Sequence, residues 1–309
     1  MDFTLDDTGR AVAELARDVL AGEPAAAWKA LGQAGLLAGE DLGLLETALV
    51  LREIGRVAAP VPALSLLGVL PLVHCGSDEQ RAEHLPAIAS GERLLTAALR
   101  ADVTVTGENL LSGKAIGVPY AAEAHRVLVP AGPDTYLVTA ENTTATYSAS
   151  GIPEYTVVLD NAPGERLCAT TDLHRYAVAA ACAYGDGLLA GALDLTAAHV
   201  RTREQFGKPL ATFQAVAQQI ADVYIAARTL HLAVWSAVWR LASDREPDRD
   251  LAVAAYWLAE EAMSALHTCH HLHGGLGVDE SYAMHRYYSA TKDLVRLLGG
   301  VEHRLGEIA

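Results

Sequence analysis

Two short segments carry side chains whose types and spacing could do chemistry. The first is Arg201-Thr202-Arg203-Glu204-Gln205-Phe206-Gly207-Lys208-Pro209-Leu210, followed by Phe213-Gln214, at the corner between two long helical patterns. An Arg fork and an amide converging on one corner suit a phosphate, because charge-assisted hydrogen bonds are among the strongest a protein makes. The same residues also read as a capping turn, with Arg near a helix C-terminus where the macrodipole favours cations. The second segment is His267-Thr268-Cys269-His270-His271-Leu272-His273-Gly274-Gly275-Leu276-Gly277. His267 and His271 are one helical turn apart, as are Cys269 and His273, a spacing a zinc ion could use. No carboxylate joins either pair in the H-E-x-x-H manner, so no metal is expected. The glycines remove side chains where backbone must approach something closely, and their N–H groups can receive a phosphate. They follow a helical pattern rather than a strand, which excludes a Rossmann fingerprint. No G-x-S-x-G elbow is present, and Ser281 beside Glu280 reads equally well as a helix cap.

The elements that must position these segments follow from composition and periodicity. The chain has 309 residues, 51% of them hydrophobic, enough for about two domains with buried cores. A net charge of −15 repels polyanions, so nucleic-acid binding is not expected. No run of uncharged apolar residues reaches membrane-spanning length, and Met1-Asp2-Phe3-Thr4 lacks a basic leader, so a soluble cytoplasmic protein with no membrane partner is expected. Cys75, Cys168, Cys182 and Cys269 are widely spaced and read as buried small hydrophobes. Helical spacing, as in Ala11, Val12, Leu15, Ala16, Val19 and Leu20, marks residues 1–92 as a helical domain. Short β-prone runs (103–105, 126–129, 135–138, 155–159) mark a small antiparallel β domain over 93–168, with a loop from Glu141 to Pro153. Helical patterns at 171–202, 212–243 and 249–272 predict an antiparallel bundle over 169–309, with Thr170 or Thr171 as N-cap and Glu246-Pro247-Asp248 as a turn. The fold class expected is mainly α with a small β domain. Ala-rich helix faces point to close packing and to an oligomer. Arg286 is expected to pair with Glu280, while His285, Tyr287 and Tyr288 read either as acyl-pocket lining or as core.

Arg203-x-Gln205-Phe206-Gly207-Lys208-Pro209-Leu210, then Gln214 and Ala221-Asp222, then His271-x-His273-Gly274-Gly275-x-Gly277-x-x-Glu280, resembles the acyl-CoA dehydrogenase family. Met1-Asp2-Phe3, the stretch from Gly76-Ser77-Asp78-Glu79-Gln80 through His84-Leu85-Pro86 to Gly91-Glu92, and Gly113-Lys114 to Ala131 fall in the same order, so the resemblance covers nearly the whole chain. It implies N-terminal helices, a middle β domain and a C-terminal four-helix bundle. It also implies FAD lying across a subunit interface, its pyrophosphate and adenosine part gripped by Arg203, Gln205, Phe206, Gln214, His271, Gly274, Gly275 and Gly277. His271 stands where the family most often has Gln, which makes the contact pH-dependent near the ordinary imidazole pKa of about 6.5.

The implied reaction is removal of an acyl-CoA α-proton by a Glu with transfer of the β-hydride to flavin, giving a trans-2-enoyl-CoA. The register that holds this Glu in most relatives reads Leu297-Leu298-Gly299-Gly300-Val301, and the other known position is His174. Neither is a carboxylate. The Thr-Glu-Pro-like segment that touches the flavin ring is missing, since Leu95–Arg100 runs almost directly into Ala101, and Ile116 and Val118 replace an aromatic and a hydroxyl. Retention of one half-site and loss of the other resembles the short subunit of actinobacterial α2β2 acyl-CoA dehydrogenases that act on steroid-derived thioesters. The expected partners are thus a longer dehydrogenase subunit carrying the base, an acyl-CoA and an electron-transfer acceptor. The alternatives are a homo-oligomeric dehydrogenase whose base has moved to Glu302 or Glu307, or a non-catalytic acyl-CoA-binding scaffold.

Overall fold

Helix α1 (Asp7–Leu20) starts where the sequence supplies a cap, the Asp6 carboxylate accepting from the Gly9 N–H at 2.7 Å. The computed structural model describes residues 5–38 and 42–308, so the opening Met1-Asp2-Phe3 lies outside the described residues. The chain divides into two compact units, 1–50 with 60–181, and 51–59 with 182–309.

In the first unit α1 is followed by α2 (Ala27–Gln33), α3 (Leu44–Arg56, whose last turns belong to the other unit), α4 (Leu66–Cys75) and α5 (Asp78–Ala89). α4 is buried on every side from Leu66 to Leu72, as its unbroken apolar run requires. Gly68 lets it approach the sheet: a Cβ there would lie 2.7 Å from the Thr96 carbonyl carbon. α5 begins with a capping box, Ser77 Oγ accepting from the Gln80 N–H and Gln80 Oε1 from the Ser77 N–H, worth about 0.5–2 kcal/mol. The Gln80 amide also donates to Glu165 Oε1 and to the Arg166 carbonyl, fastening this helix to the sheet.

The sheet holds β1 (Leu95–Ala97), β2 (Ala101–Thr106), β3 (Leu110–Pro119), β4 (Arg126–Ala131), β5 (Asp134–Val138), β6 (Asn142–Thr146) and β7 (Glu154–Ala169). Its order is β1-β4-β5-β7-β3-β2, with β6 on β7. Val103, Leu111, Val118, Val127, Val129 and Val157 are among the side chains that close its core. Three sequence expectations are corrected. The Glu141–Pro153 loop contains β6, which pairs antiparallel with β7 from Asn142↔Val158 to Thr146↔Glu154. The sheet is not purely antiparallel, because β1 pairs parallel with β4. The Thr170 hydroxyl is no cap; it donates to the carbonyls of Gly132 and Asp134.

α6 (Thr170–Thr202) runs from the first unit into the second. It is long and apolar enough to cross a membrane by length and composition, but 83% of its apolar window is buried inside the protein, as a core helix requires. α7 (Gln214–Ala242), α8 (Asp248–Trp257) continuing through a π-helical stretch (Leu258–Ala262) into α9 (Met263–His273), α10 (Met284–Leu297) and the short α11 (Gly300–Gly306) complete the second unit. Its close approaches need small residues: a Cβ on Gly185 would meet Leu258 at 2.5 Å, and one on Gly191 would meet the Tyr287 ring at 2.6 Å. Tyr287 belongs to the core, its hydroxyl donating to the Arg56 carbonyl at 2.9 Å. Several charged side chains are buried in this unit, Glu53, Asp186 and Asp293 among them. Asp186, 2% exposed, accepts from Arg52 Nε at 2.9 Å and holds His231 Nδ1 at 2.8 Å. The expected Arg286–Glu280 pair does not form; no ion pair joins them among the described residues.

Candidate functional site

α6 ends at Thr202, but the backbone keeps one more helical bond, Arg203 N–H to the His199 carbonyl at 2.8 Å. Strand β8 (Glu204–Gln205) then turns back on β9 (Lys208–Pro209). The two turn residues, Phe206 and Gly207, both have positive φ (55° and 79°), the signature of a type I′ hairpin. The Arg203 carbonyl accepts from the Leu210 N–H at 2.8 Å, which fixes the backbone from which its guanidinium projects. That guanidinium has no hydrogen bond or ion pair among the described residues. Phe206 is 92% exposed, its ring edge-on to that of Phe213 with centroids 6.2 Å apart. A non-glycine residue in the left-handed region costs about 1–2 kcal/mol, so the turn spends stability to present an aromatic ring outward. The Gln205 amide donates to the neighbouring Glu204 carbonyl, and Gln214 stands exposed at the first position of α7, where Phe213 provides no side-chain cap.

α9 stops at Gly274, whose φ of 58° and ψ of −140° end the helix. A Cβ on Gly274 or Gly275 would meet nothing within 4 Å, so a ligand can approach the backbone closely here, although the Gly274 N–H itself donates to the His271 carbonyl. Gly277 serves packing instead: a Cβ there would lie 3.0 Å from the His270 carbonyl oxygen. His271 is exposed. Between the ends of α6 and α9 lies an open cleft of about 520 Å³ lined by His199, Thr202, Arg203, His273, Gly275 and Leu276. Of the residues expected from sequence, Arg203 and Gly275 meet in this cleft, while Gln205, Phe206, Gln214, His271, Gly274 and Gly277 are not among its lining residues.

His199 and His273 line it too, and sequence reasoning placed neither there. The signal was present for one, since His199 precedes Arg203 by four residues and shares its helix face. Their rings stack at 4.3 Å and 29°. Thr196 Oγ1 donates to the Ala192 carbonyl at 2.7 Å and therefore accepts at 3.2 Å from His273, which fixes the proton on Nε2. His273 Nδ1 is buried with no hydrogen-bond partner. Burial, then the neighbouring His199 and His270, pushes the His273 imidazole down to about 4, and burial and then Arg203 lower His199. No carboxylate lines the cleft. An unpaired guanidinium, glycines that let a ligand approach the backbone, and imidazoles without an acid fit a phosphate-bearing group.

The two positions at which the resemblance implies a base, and the two alternative carboxylates, lie elsewhere. Gly299 lies in the left-handed region (φ 92°) as the residue before α11, and a Cβ there would fall 2.5 Å from the His303 ring. His174 directs Nε2 at the Leu99 carbonyl, 3.3 Å away. Glu302 is an exposed carboxylate in the first turn of α11, and Glu307 pairs with Arg304 at 2.6 Å. Ile116 is 48% exposed and Val118 fully buried in the sheet; only Ala98–Arg100 separates β1 from β2.

Leading helices, a strand-rich middle and a bundle of long helices with an open cleft at the ends of two of them are the arrangement of the acyl-CoA dehydrogenase class. Family descriptions agree: "Acyl-CoA dehydrogenase, N-terminal domain" matches residues 8–92, and "Acyl-CoA dehydrogenase, C-terminal domain" matches residues 167–308. The chain is 43% identical to acyl-CoA dehydrogenase FadE28 of Mycobacterium tuberculosis strain H37Rv, over 99% of this chain and 97% of that protein. Two solved structures have the same fold. The ChsE4-ChsE5 complex of Mycobacterium tuberculosis superposes with a TM-score of 0.92 at 31% identity, over 100% of this chain and 98% of the matched chain. The Tcur3481-Tcur3483 steroid ACAD G363A variant superposes with a TM-score of 0.91 at 32% identity, over 99% of this chain and 97% of the matched chain. This chain belongs to the acyl-CoA dehydrogenase family, a family of oxidoreductases.

Proposed function

We propose that the chain is the short, base-free subunit of a heteromeric FAD-dependent acyl-CoA dehydrogenase that converts an acyl-CoA thioester to the trans-2-enoyl-CoA. FAD, when bound, accepts the β-hydride of the thioester. On this reading Arg203 and the uncovered backbone at Gly274 and Gly275 receive the diphosphate of a flavin seated mainly in the longer subunit. Gln205, Gln214 and His271 add donors, and the partner with its cofactor covers the Phe206 ring. Gly277 contributes by holding the segment against α9. The helical part ends at residue 92, the shortened β part spans 93–168, and the bundle starts at 169.

The observation that carries the proposal is Gly299, a left-handed glycine under the His303 ring at the register where relatives hold the base. A positioned base is worth about 10²–10⁴ in rate, so a dehydrogenase cannot dispense with one and the longer subunit must supply it. The names of the relatives support both the partner and the substrate, since one structure is a two-protein complex and the other a steroid enzyme. The thioester we assign is accordingly a steroid-derived one, oxidised in the cytoplasm with electrons passed to an electron-transfer acceptor. The test is to purify the chain alone and together with a longer dehydrogenase encoded beside it. The solitary chain should be colourless, and the complex yellow and bleached by acyl-CoA. Stoichiometric FAD on the solitary chain, or turnover by it, overturns the proposal.

A further inference from the structure

We propose that His199 is a further ligand of the phosphate-bearing cofactor and binds it as imidazolium, taking up a proton that the free subunit does not hold. The inference rests on reading the α6–α9 cleft as a diphosphate site. His199 lines that cleft on the same face of α6 as Arg203 and is only partly buried, so its ring can reach a bound anion. The charged and titratable groups that face it are Arg203 on α6 and His273 on α9, with His270 and Cys269 next along α9 and Tyr282 against the far side of the His273 ring. None is a carboxylate. In the free subunit nothing therefore offsets a positive charge on His199, and both burial and Arg203 favour its neutral form.

A diphosphate reverses that balance, because its charge attracts the imidazolium and the guanidinium together. The proton comes from the buffer and goes to the unprotonated ring nitrogen of His199. His273 stays neutral, being 5% exposed with its Nε2 proton committed to Thr196, and serves as the flat surface on which the charged ring stacks.

The experiment is calorimetric titration with FAD of the flavin-stripped complex of this chain and its longer partner, near neutral pH, in buffers of different ionisation enthalpy. Binding is expected to take up a sizeable fraction of a proton, and affinity to fall with rising pH by at most about tenfold per unit, the limit for one proton. His199→Gln keeps an N–H donor but cannot ionise. It should abolish the uptake and flatten the pH dependence, while thermal unfolding shows the variant folded. His271→Gln should keep the uptake, which separates the two imidazoles. Binding without buffer-dependent heat, or uptake that survives His199→Gln and disappears in His271→Gln, overturns the assignment to His199 and leaves the cleft intact. FAD binding to the complex that Arg203→Gln leaves unchanged overturns the reading of the cleft, and this inference with it.

Discussion

Replacing Gly299 by Glu puts a carboxylate at the register of the missing base, and the structure says it will not work. Gly299 has φ 92°, a conformation that costs an L-residue roughly 1–2 kcal/mol. Its new Cβ would fall 2.5 Å from the His303 ring, which must swing aside and give up its contact with Glu307 at 3.5 Å. The side chain of His303 is half-exposed, so this second cost is smaller, about 0.5–1.5 kcal/mol. Together the substitution should destabilise the second unit by about 2–3 kcal/mol and lower its Tm by roughly 6–12 °C. Gly299→Ala should show nearly the same loss, because backbone and first carbon carry it. Combining it with His303→Ala should recover only the smaller, steric share. Thermal unfolding followed by circular dichroism measures all four proteins, and reduction of an artificial electron acceptor by acyl-CoA tests function. A Gly299→Glu chain with native Tm that turns over acyl-CoA by itself would refute the reasoning.

Asp186→Ala removes the buried acceptor shared by Arg52 and His231, leaving Arg52 its longer contact to Glu53 at 3.4 Å, and should cost about 1–3 kcal/mol, read as a lowered midpoint in urea titration. Phe206→Asn, which accepts positive φ, should raise the stability of the isolated chain by up to about 1 kcal/mol while loosening flavin retention in the complex. Glu302→Gln should leave turnover of the purified complex within experimental error of wild type; loss of activity would make it the relocated base. The pH dependence of stability follows from His273, whose folded pKa of about 4 lies below the ordinary value of about 6.5. Between those values the unfolded chain binds the extra proton, so stability falls as pH drops from about 6.5 towards 4, by at most about 1.4 kcal/mol per unit. His273→Phe should flatten that slope in urea titrations across the same window.

What was legible in the sequence was whatever depends on neighbours in the chain. Amphipathic or Ala-rich periodicity foretold helices over 171–202, 212–243 and 249–272, and they run Thr170–Thr202, Gln214–Ala242 and 248–273. The π-helical stretch inside the last of them carried no visible signal. β6 was invisible because Asn142–Thr146 is polar and mostly exposed, an edge strand with no apolar alternation to report it. The parallel pairing of β1 with β4 joins residues about thirty apart in sequence, a choice local propensity does not encode.

The candidate site divides along the same line. Arg203, Phe206 and the Gly274-Gly275 pair stood out because a tight turn and a helix stop are written in a few adjacent residues. That Phe206 sits left-handed and bare, that Gly299 lies beneath His303, and that His199 stacks on His273 all required the folded chain. The sequence by itself determined the family, the helices and the absence of a carboxylate at Gly299 and His174. Only the tertiary structure decided which donors share one cleft, because α6 and α9 bring together residues separated by more than seventy positions, and a side chain's partners across such a distance are set by packing rather than by its neighbours in the chain.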